Sequence, residues 1–257
     1  MKQRQRVFKI IVVDVSYFFR TKWLIATLIA LNLSDMLVLG LVYKGMMSID
    51  YFTFFVPGVV IAGMFAAALD VGRRVYLGLT EGVTQYYLSL PVSTDGLVWA
   101  HIISGGLGGT IYSGILLVVA LVLLPNPSWA AALAMIPVML VLSMGLSGIA
   151  AVLNLFSKRG ERYWVFAEGL QVVLLGMSTI SYPLSVIRGV FPAPLATVIE
   201  YNPLSQGVDA LRSWVFGGQP IEAVALGSLV LTSLILLAVG AVSYREVFYK
   251  VREVGKL

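Results

Sequence analysis

Residues 102–124 read IISGGLGGTIYSGILLVVALVLL and contain no charged side chain. A helix needs about 20 mostly apolar residues to cross the hydrocarbon core of a bilayer, so this stretch predicts a membrane span. Further windows of the same kind occur at about 23–43, 51–70, 130–153, 164–187 and 220–243. The sequence therefore predicts an all-α polytopic membrane protein with six transmembrane helices.

The composition of the whole chain agrees with this interpretation. Of 257 residues, 59% are hydrophobic and 12% are charged, and the mean hydropathy is +0.91. A soluble domain carries about 25% charged residues, so a water-exposed surface is hard to build from this set. No cysteine is present, which excludes disulfides, iron–sulfur clusters and thiolate zinc sites. We expect one membrane domain over residues 1–257.

Lysine and arginine are distributed unevenly between the predicted loops. Fifteen lie on the side that holds both termini, and the other side holds three, at Lys44, Arg188 and Arg212. Because cytoplasmic loops carry the excess of positive charge, both termini are predicted to be cytoplasmic, in a multi-pass protein of the cell membrane. This topology accounts for the net charge of +5, so we expect no nucleic-acid partner.

Residues 1–22 have the pattern of an amphipathic helix. Basic and polar side chains recur at helical spacing, with apolar ones elsewhere around the turn; the polar set is Arg6, Lys9, Ser16 and Arg20. We favour a helix lying on the inner leaflet, with membrane lipid as its partner, over an ordinary basic flank of the first span.

Groups typical of enzymes are sparse. His101 is the only histidine, and its position at the start of the third span is typical of an interfacial residue. No G-x-x-x-x-G-K-[ST] pattern occurs, so the chain is not expected to hydrolyse ATP by that route. We expect no metal, no cofactor and no enzymatic activity in this chain.

Polar residues inside the apolar windows are costly in a bilayer and are therefore functional candidates. They form two pairs at helical spacing: Asn32 with Asp35, and Glu168 with Gln171. Each pair is expected either to line a transport pathway or to hydrogen-bond within the helix bundle. Asp70 differs, because Arg73 and Arg74 follow at i+3 and i+4 and predict a local ion pair.

Five short motifs occur in a fixed order along the chain. They are Pro57-Gly58, Glu81-Gly82-Val83-Thr84, Leu88-Ser89-Leu90-Pro91-Val92, Asn202-Pro203-Leu204 and Asp209-Ala210-Leu211-Arg212. Together with the span count and orientation, they resemble the membrane subunits of type-2 ATP-binding-cassette exporters, over nearly the whole chain.

The resemblance implies a role for two segments outside the spans. Within the cytoplasmic segment 71–101, residues 81–90 would form a coupling helix that docks on a separate ATPase subunit; the alternative is a loop helix resting on the membrane. Thr80 and Glu81 could start this helix, and Pro91 could end it. Its apolar face would consist of Tyr86, Tyr87 and Leu90. The implied coupling residues are Glu81, Gly82, Thr84, Gln85, Tyr87, Leu88 and Pro91.

The second segment, 189–219, would form short re-entrant helices at the outer side before the last span. Its implied motif residues are Tyr201, Asn202, Pro203, Leu204, Asp209 and Arg212. Leu204, Val208, Leu211 and Val215 form an apolar stripe at helical spacing.

The resemblance implies a permease subunit that moves a drug-like hydrophobic molecule, a lipid or a glycan outward by alternating access. ATP and Mg²⁺ would bind in the partner ATPase subunit, and a second permease copy, identical or related, would complete the complex. An ion-coupled secondary transporter is the alternative, and a membrane-embedded enzyme or scaffold is less favoured.

Overall fold

The computed structural model describes residues 3–20, 22–44, 50–80, 82–157, 160–220 and 222–253, and every regular element among them is helical. The prediction of an all-α protein is confirmed for these residues. The helices are α1 (Gln3–Arg20), α2 (Lys22–Ser34), α3 (Gly40–Lys44), α4 (Tyr51–Thr80), α5 (Val83–Ser89), α6 (Thr94–Leu123), α7 (Trp129–Ser157), α8 (Gly160–Gly176), α9 (Leu184–Val190), α10 (Ala193–Glu200), α11 (Pro203–Ala210) and α12 (Ala223–Glu253). Two π-helical turns complete the set, Asp35–Leu39 between α2 and α3 and Leu211–Phe216 after α11.

Five stretches of the described chain are long and apolar enough to cross a membrane. They are Ile25–Val42, Tyr51–Asp70, Thr94–Leu123, Trp129–Leu153 and Ala223–Lys250. They match five of the six predicted windows, which makes the chain a plausible membrane protein.

The span predicted in the remaining window, 164–187, is not confirmed, because the helix is interrupted within the window. α8 ends at Gly176 after 17 residues, residues 177–183 are not helical, and α9 begins after Pro183. Two local features stop the helix. The Ser178 hydroxyl bonds to the Leu175 carbonyl and accepts from the Ile180 amide, and Pro183 has no N–H with which to continue a helical ladder.

α4 is the central helix of the bundle, because 72% of its stretch Tyr51–Asp70 is buried, against 17% for Ala223–Lys250 of α12.

Small residues bring the neighbouring helices close. A Cβ added at Gly148 of α7 would lie 2.8 Å from the carbonyl carbon of Gly240 in α12. On α6, one added at Gly109 would lie 3.2 Å from the Met64 carbonyl oxygen of α4. The small residues of α6 and α7 thus pack against neighbouring helices of the same chain.

The bundle has two ends, which we name after the arginine that lies at each, Arg74 and Arg212. Gln3 bonds to Ser93, and Arg252 to Thr94. Both described ends of the chain therefore lie at the end where α4 finishes, the Arg74 end. The start of α4 and residues 177–216 form the opposite end, the Arg212 end. With 30 residues, α4 is about 45 Å long, roughly 15 Å more than the hydrocarbon core needs.

The predicted amphipathic helix is present as α1, and its faces divide three ways. Ile10 and Phe18 are buried against the bundle, whereas Phe8 remains 65% exposed and Lys9 and Arg20 are exposed on a further side. The buried face packs on α6. α1 is thus part of the protein core on one side, and its contact with lipid stays a prediction.

Candidate functional site

The implied coupling segment forms a short helix between two tight breaks at the Arg74 end. Gly82 precedes α5 in the left-handed region, with φ 78° and ψ 4°, a conformation that favours glycine. Leu90 ends the helix in an extended conformation (ψ 150°), as expected for a residue before proline. Pro91 thus acts as predicted, but Thr80 belongs to α4 and Gly82 rather than Thr80 precedes the new helix. Glu81 lies outside the described residues.

The faces of α5 differ from the prediction. Tyr86, Tyr87 and Leu90 were expected to share one apolar face, but Tyr86 is 61% exposed while Tyr87 is half-buried. Thr84 is the most buried residue of the helix, at 2% exposure. The reason is helical geometry, because Thr84 and Tyr87 are three residues apart and face α4 and α6, whereas Tyr86 points away. Of the remaining implied contacts, Gln85 and Pro91 are exposed and Leu88 is half-buried.

Behind α5 lies a small cavity of about 50 Å³ with polar and apolar residues in its lining. We name its polar lining the Asp14 cluster, which consists of Asp14, Arg74, Thr84, Tyr87, His101 and Ser104. The cluster brings together α1, α4, α5 and α6. A cavity of this size holds water-sized molecules rather than cargo.

Hydrogen bonds connect the members of the Asp14 cluster. The Tyr87 hydroxyl donates to the Asp14 carboxylate, and burial together with that carboxylate raises the pKa of Tyr87 to about 12. The phenol is therefore neutral and remains a donor at physiological pH. Arg74 donates to the Asp14 backbone carbonyl at 2.9 Å, and the Ser104 hydroxyl lies 3.4 Å from the Asp14 carboxylate.

The predicted ion pair of Asp70 is confirmed with Arg74, whose Nε lies 3.3 Å from Asp70 Oδ2. Both side chains are about nine-tenths buried. Because a buried charge is costly without a partner, this pair and the Asp14 carbonyl hold the Arg74 guanidinium in a fixed position.

α1 also contacts the chain on the far side of α5. Arg6 donates to the Pro91 carbonyl at 2.9 Å, and Gln3 bonds to the Ser93 hydroxyl. Ser93 in turn caps α6 by accepting from the Gly96 amide at 3.1 Å. The short helix is thus attached to α1 both through its inner face and through the residues that follow it.

Asp14 was not among the residues predicted from the sequence, and His101 was predicted to be a membrane-interface residue. His101 is 7% exposed, and its Nδ1 lies 2.6 Å from the Tyr244 hydroxyl of α12. A signal for Asp14 was available, because an acidic residue sits on the apolar side of α1, three after Ile11 and four before Phe18. For His101 no comparable signal exists, because its partner Tyr244 lies 143 residues along the chain.

At the opposite end, Arg212 joins three segments. It donates to the carbonyls of Phe54, Thr179 and Ile180 at 2.8–2.9 Å, and it pairs with Asp209 at 3.1 Å. Its guanidinium also lies 3.5 Å from the centre of the Phe54 ring, a cation–π contact. We name this group, with the residues of the next paragraph, the Arg212 cluster.

Asn202 and Gly58 complete the Arg212 cluster. The Asn202 side chain accepts from the Leu204 amide at 3.0 Å and donates to the carbonyls of Leu174 and Met177, at 2.9 and 2.6 Å. It therefore caps α11 and fixes the end of α8 at the same time. A Cβ at Gly58 would lie 2.8 Å from the Ile180 carbonyl oxygen, so only glycine permits this approach.

The other residues of the 189–219 motif divide between core and surface. Leu204 and the rest of its predicted stripe are fully buried, which confirms the stripe. Pro203 starts α11, Asp209 accepts from the Thr179 hydroxyl at 3.0 Å, and Tyr201 is 58% exposed. The short helices were predicted correctly, and their depth in a membrane stays a prediction.

The candidate pathway residues do not form one group. Asn32 donates to the Leu28 carbonyl and to the Tyr112 hydroxyl of α6, so it faces the bundle. Asp35 and Glu168 are exposed and make no hydrogen bond or ion pair with any described residue, and Gln171 is half-buried. The structure assigns Asn32 a packing contact and leaves the two carboxylates on the surface of the single chain.

Within the described ranges, no group of three or more His, Cys, Asp or Glu side chains could hold a metal ion. No protein-family model matches the chain, and no curated protein matches it significantly.

Proposed function

We propose that this protein is the permease subunit of an ATP-binding-cassette exporter, and that α5 is its contact with a separate ATPase subunit. The observation that carries the proposal is the form of α5. It presents Tyr86 to the outside while Thr84 and Tyr87 fix it to the bundle. A helix that is exposed on one face and packed on the bundle with the other can transmit a displacement from a bound partner to the bundle.

We infer six membrane crossings, and the course of the chain supports this number. α8 begins after α7 returns to the Arg74 end, and its last carbonyls bond to Asn202 at the Arg212 end. With 17 residues, α8 is about 25 Å long, a little shorter than the hydrocarbon core. In this proposal α8 would be the fifth crossing, and residues 177–183 would complete its passage. The charge bias of the loops makes the Arg74 end cytoplasmic.

Motion of α5 would reach the bundle by two routes. Through its hydrogen bond to Asp14, Tyr87 links α5 to α1. Through Pro91 and Ser93, α1 and the start of α6 follow the same movement. Because hydrogen bonds are directional, displacement of α5 would move the three helices together.

A second permease copy would cover surface that the single chain leaves open. Only 11% of the first span, Ile25–Val42, is buried, and both exposed carboxylates, Asp35 and Glu168, lie on elements that flank α4. A carboxylate at membrane depth requires protein or water around it. The cargo path would lie between the copies, for a hydrophobic small molecule, a lipid or a glycan. ATP and Mg²⁺ would be held by the ATPase.

The test is reconstitution of the chain with each Walker-motif ATPase subunit of its source genome. The wild-type chain should bind one of them and increase its ATP hydrolysis in liposomes. Tyr86→Ala should weaken that binding by about 30-fold, the effect of losing about 2 kcal/mol from a central aromatic contact.

The control is Val165→Ala, which is also highly exposed, at 72%, but lies on a different helix, α8. It should leave binding unchanged. The proposal would be contradicted if no ATPase bound, or if the purified chain transported cargo alone under an ion gradient, as a secondary transporter would.

A further inference from the structure

A second, larger cavity lies at the Arg212 end, outside the Arg212 cluster. Its volume is about 320 Å³, within the range of small-molecule sites. The lining is mostly apolar and consists of Gly176, Ser178, Tyr182, Val186, Ile187, Val190, Phe191 and Ile199.

The cavity results from the break after α8. When the chain leaves the helix at Gly176, α9 and α10 fold beside its end instead of continuing it. Ile187 and Ile199 pack together and form a firm floor, at 3% and 2% exposure. Val190 and Phe191 stay exposed at 71% and 44%, so the mouth of the cavity is apolar as well.

Charge lies beside this apolar space. Arg188 of α9 and Glu200 of α10 form an ion pair at 2.7 Å, and the Arg188 side chain is 59% exposed. One guanidinium nitrogen serves Glu200, and a guanidinium carries five N–H donors in total, so several remain for an anion from outside. The arrangement is an apolar cavity with a cationic group beside it, at the end of a membrane helix.

We propose that this cavity binds one acyl chain of a membrane phospholipid, with the lipid phosphate held by Arg188. An apolar cavity at the end of a membrane helix is reached first by lipid, and an acyl chain matches its lining. The phosphate complements Arg188 in charge and can accept two of its N–H donors. Lipid binding at this site requires a membrane but no ATPase, so the lipid proposal can be tested independently of the exporter proposal.

Two glycines provide a matched pair of variants. Gly176 lines the cavity and Gly189 does not, and a Cβ at either would meet no atom within 4 Å. Neither has a positive φ. Gly176→Leu therefore fills the cavity without a clash at Cβ, and Gly189→Leu adds the same side chain on the adjacent surface.

The experiment uses the full chain, reconstituted with phosphatidylglycerol, extracted in detergent and examined by native mass spectrometry. Wild type and Gly189→Leu should each retain one phosphatidylglycerol after washing that removes loosely bound lipid. Gly176→Leu should retain at least tenfold less, and Arg188→Gln severalfold less. Val186→Trp provides a second way to fill the cavity if Gly176→Leu does not fold.

Three results would overturn the proposal. The first is that wild type keeps no lipid under these conditions, and the second is that both cavity-filling variants keep as much lipid as wild type. The third is that oleic acid and phosphatidylglycerol are retained equally and that Arg188→Gln changes neither amount. This result would overturn the role of the phosphate.

Discussion

Replacing Arg212 with methionine tests whether the Arg212 cluster holds the helix bundle together. Methionine fills a similar space but donates no hydrogen bond. The carbonyls of Thr179 and Ile180 would lose their donor, and they accept no other hydrogen bond from the described residues. The cation–π contact with Phe54 would be lost as well.

The expected cost follows from these contacts. Each unsatisfied carbonyl costs about 1 kcal/mol or more, and the cation–π contact contributes about 0.5–1 kcal/mol. Asp209 adds little, because its side chain is 47% exposed and water replaces the arginine. The total loss of stability is about 3 kcal/mol, which corresponds to roughly 6–12 °C in the unfolding midpoint of a chain of this size.

The assay is a thermal scan of the detergent-solubilised protein at one fixed heating rate, since unfolding of membrane proteins is often irreversible. The matched control is Arg188→Met, whose ion pair with Glu200 is exposed at 59% and 37%. Such a pair contributes about 0–1 kcal/mol, so the control should shift the midpoint by no more than about 4 °C. An Arg212→Met midpoint equal to that of the control would refute the reasoning.

Two further substitutions test contacts at both ends of the bundle. Gly58→Val should destabilise the protein by about 1–3 kcal/mol through overpacking and lower its unfolding midpoint, because the added Cβ would lie 2.8 Å from the Ile180 carbonyl oxygen. Gly169→Ala, with open space at its Cβ, should leave the midpoint unchanged. Equal midpoints for the two variants would contradict this prediction. Tyr87→Phe should cost about 1–2 kcal/mol through loss of the hydrogen bond to Asp14. The pKa of Tyr87 is raised from 10.0 to about 12, so the difference from wild type should be constant below pH 10 and disappear toward pH 12 in a pH series of thermal scans; a difference that changes between pH 7 and 9 would argue against this hydrogen bond.

Much of the fold was predictable from the sequence, because apolar runs of about 20 residues have few alternatives to a spanning helix. The span predicted in the fifth window is not confirmed, for a local reason. The composition of this window stays apolar through residue 187, and hydropathy does not register that Ser178 and Pro183 interrupt the helical hydrogen bonds. Here local chemistry overrode the average over the window.

The candidate site was only partly predictable. The motifs identified Asn202 and Arg212, but not what these residues bind, because Leu174, Thr179 and Phe54 are brought to them by the folded chain. The Asp14 cluster shows the same limit, since its members come from four helices. Chain-distant hydrogen bonds leave no spacing that one sequence reveals.

The most direct test of the account is cross-linking at Tyr86 in membranes of the source cell. The chain has no cysteine, so Tyr86→Cys can carry the only photoactivatable label, and Thr84→Cys, at 2% exposure, is the buried control. We expect a photoactivatable label at position 86, but not at position 84, to form an adduct with a Walker-motif ATPase. ATP should change the yield of this adduct. Adducts with lipid alone would contradict it, because they would mean that α5 rests on the membrane.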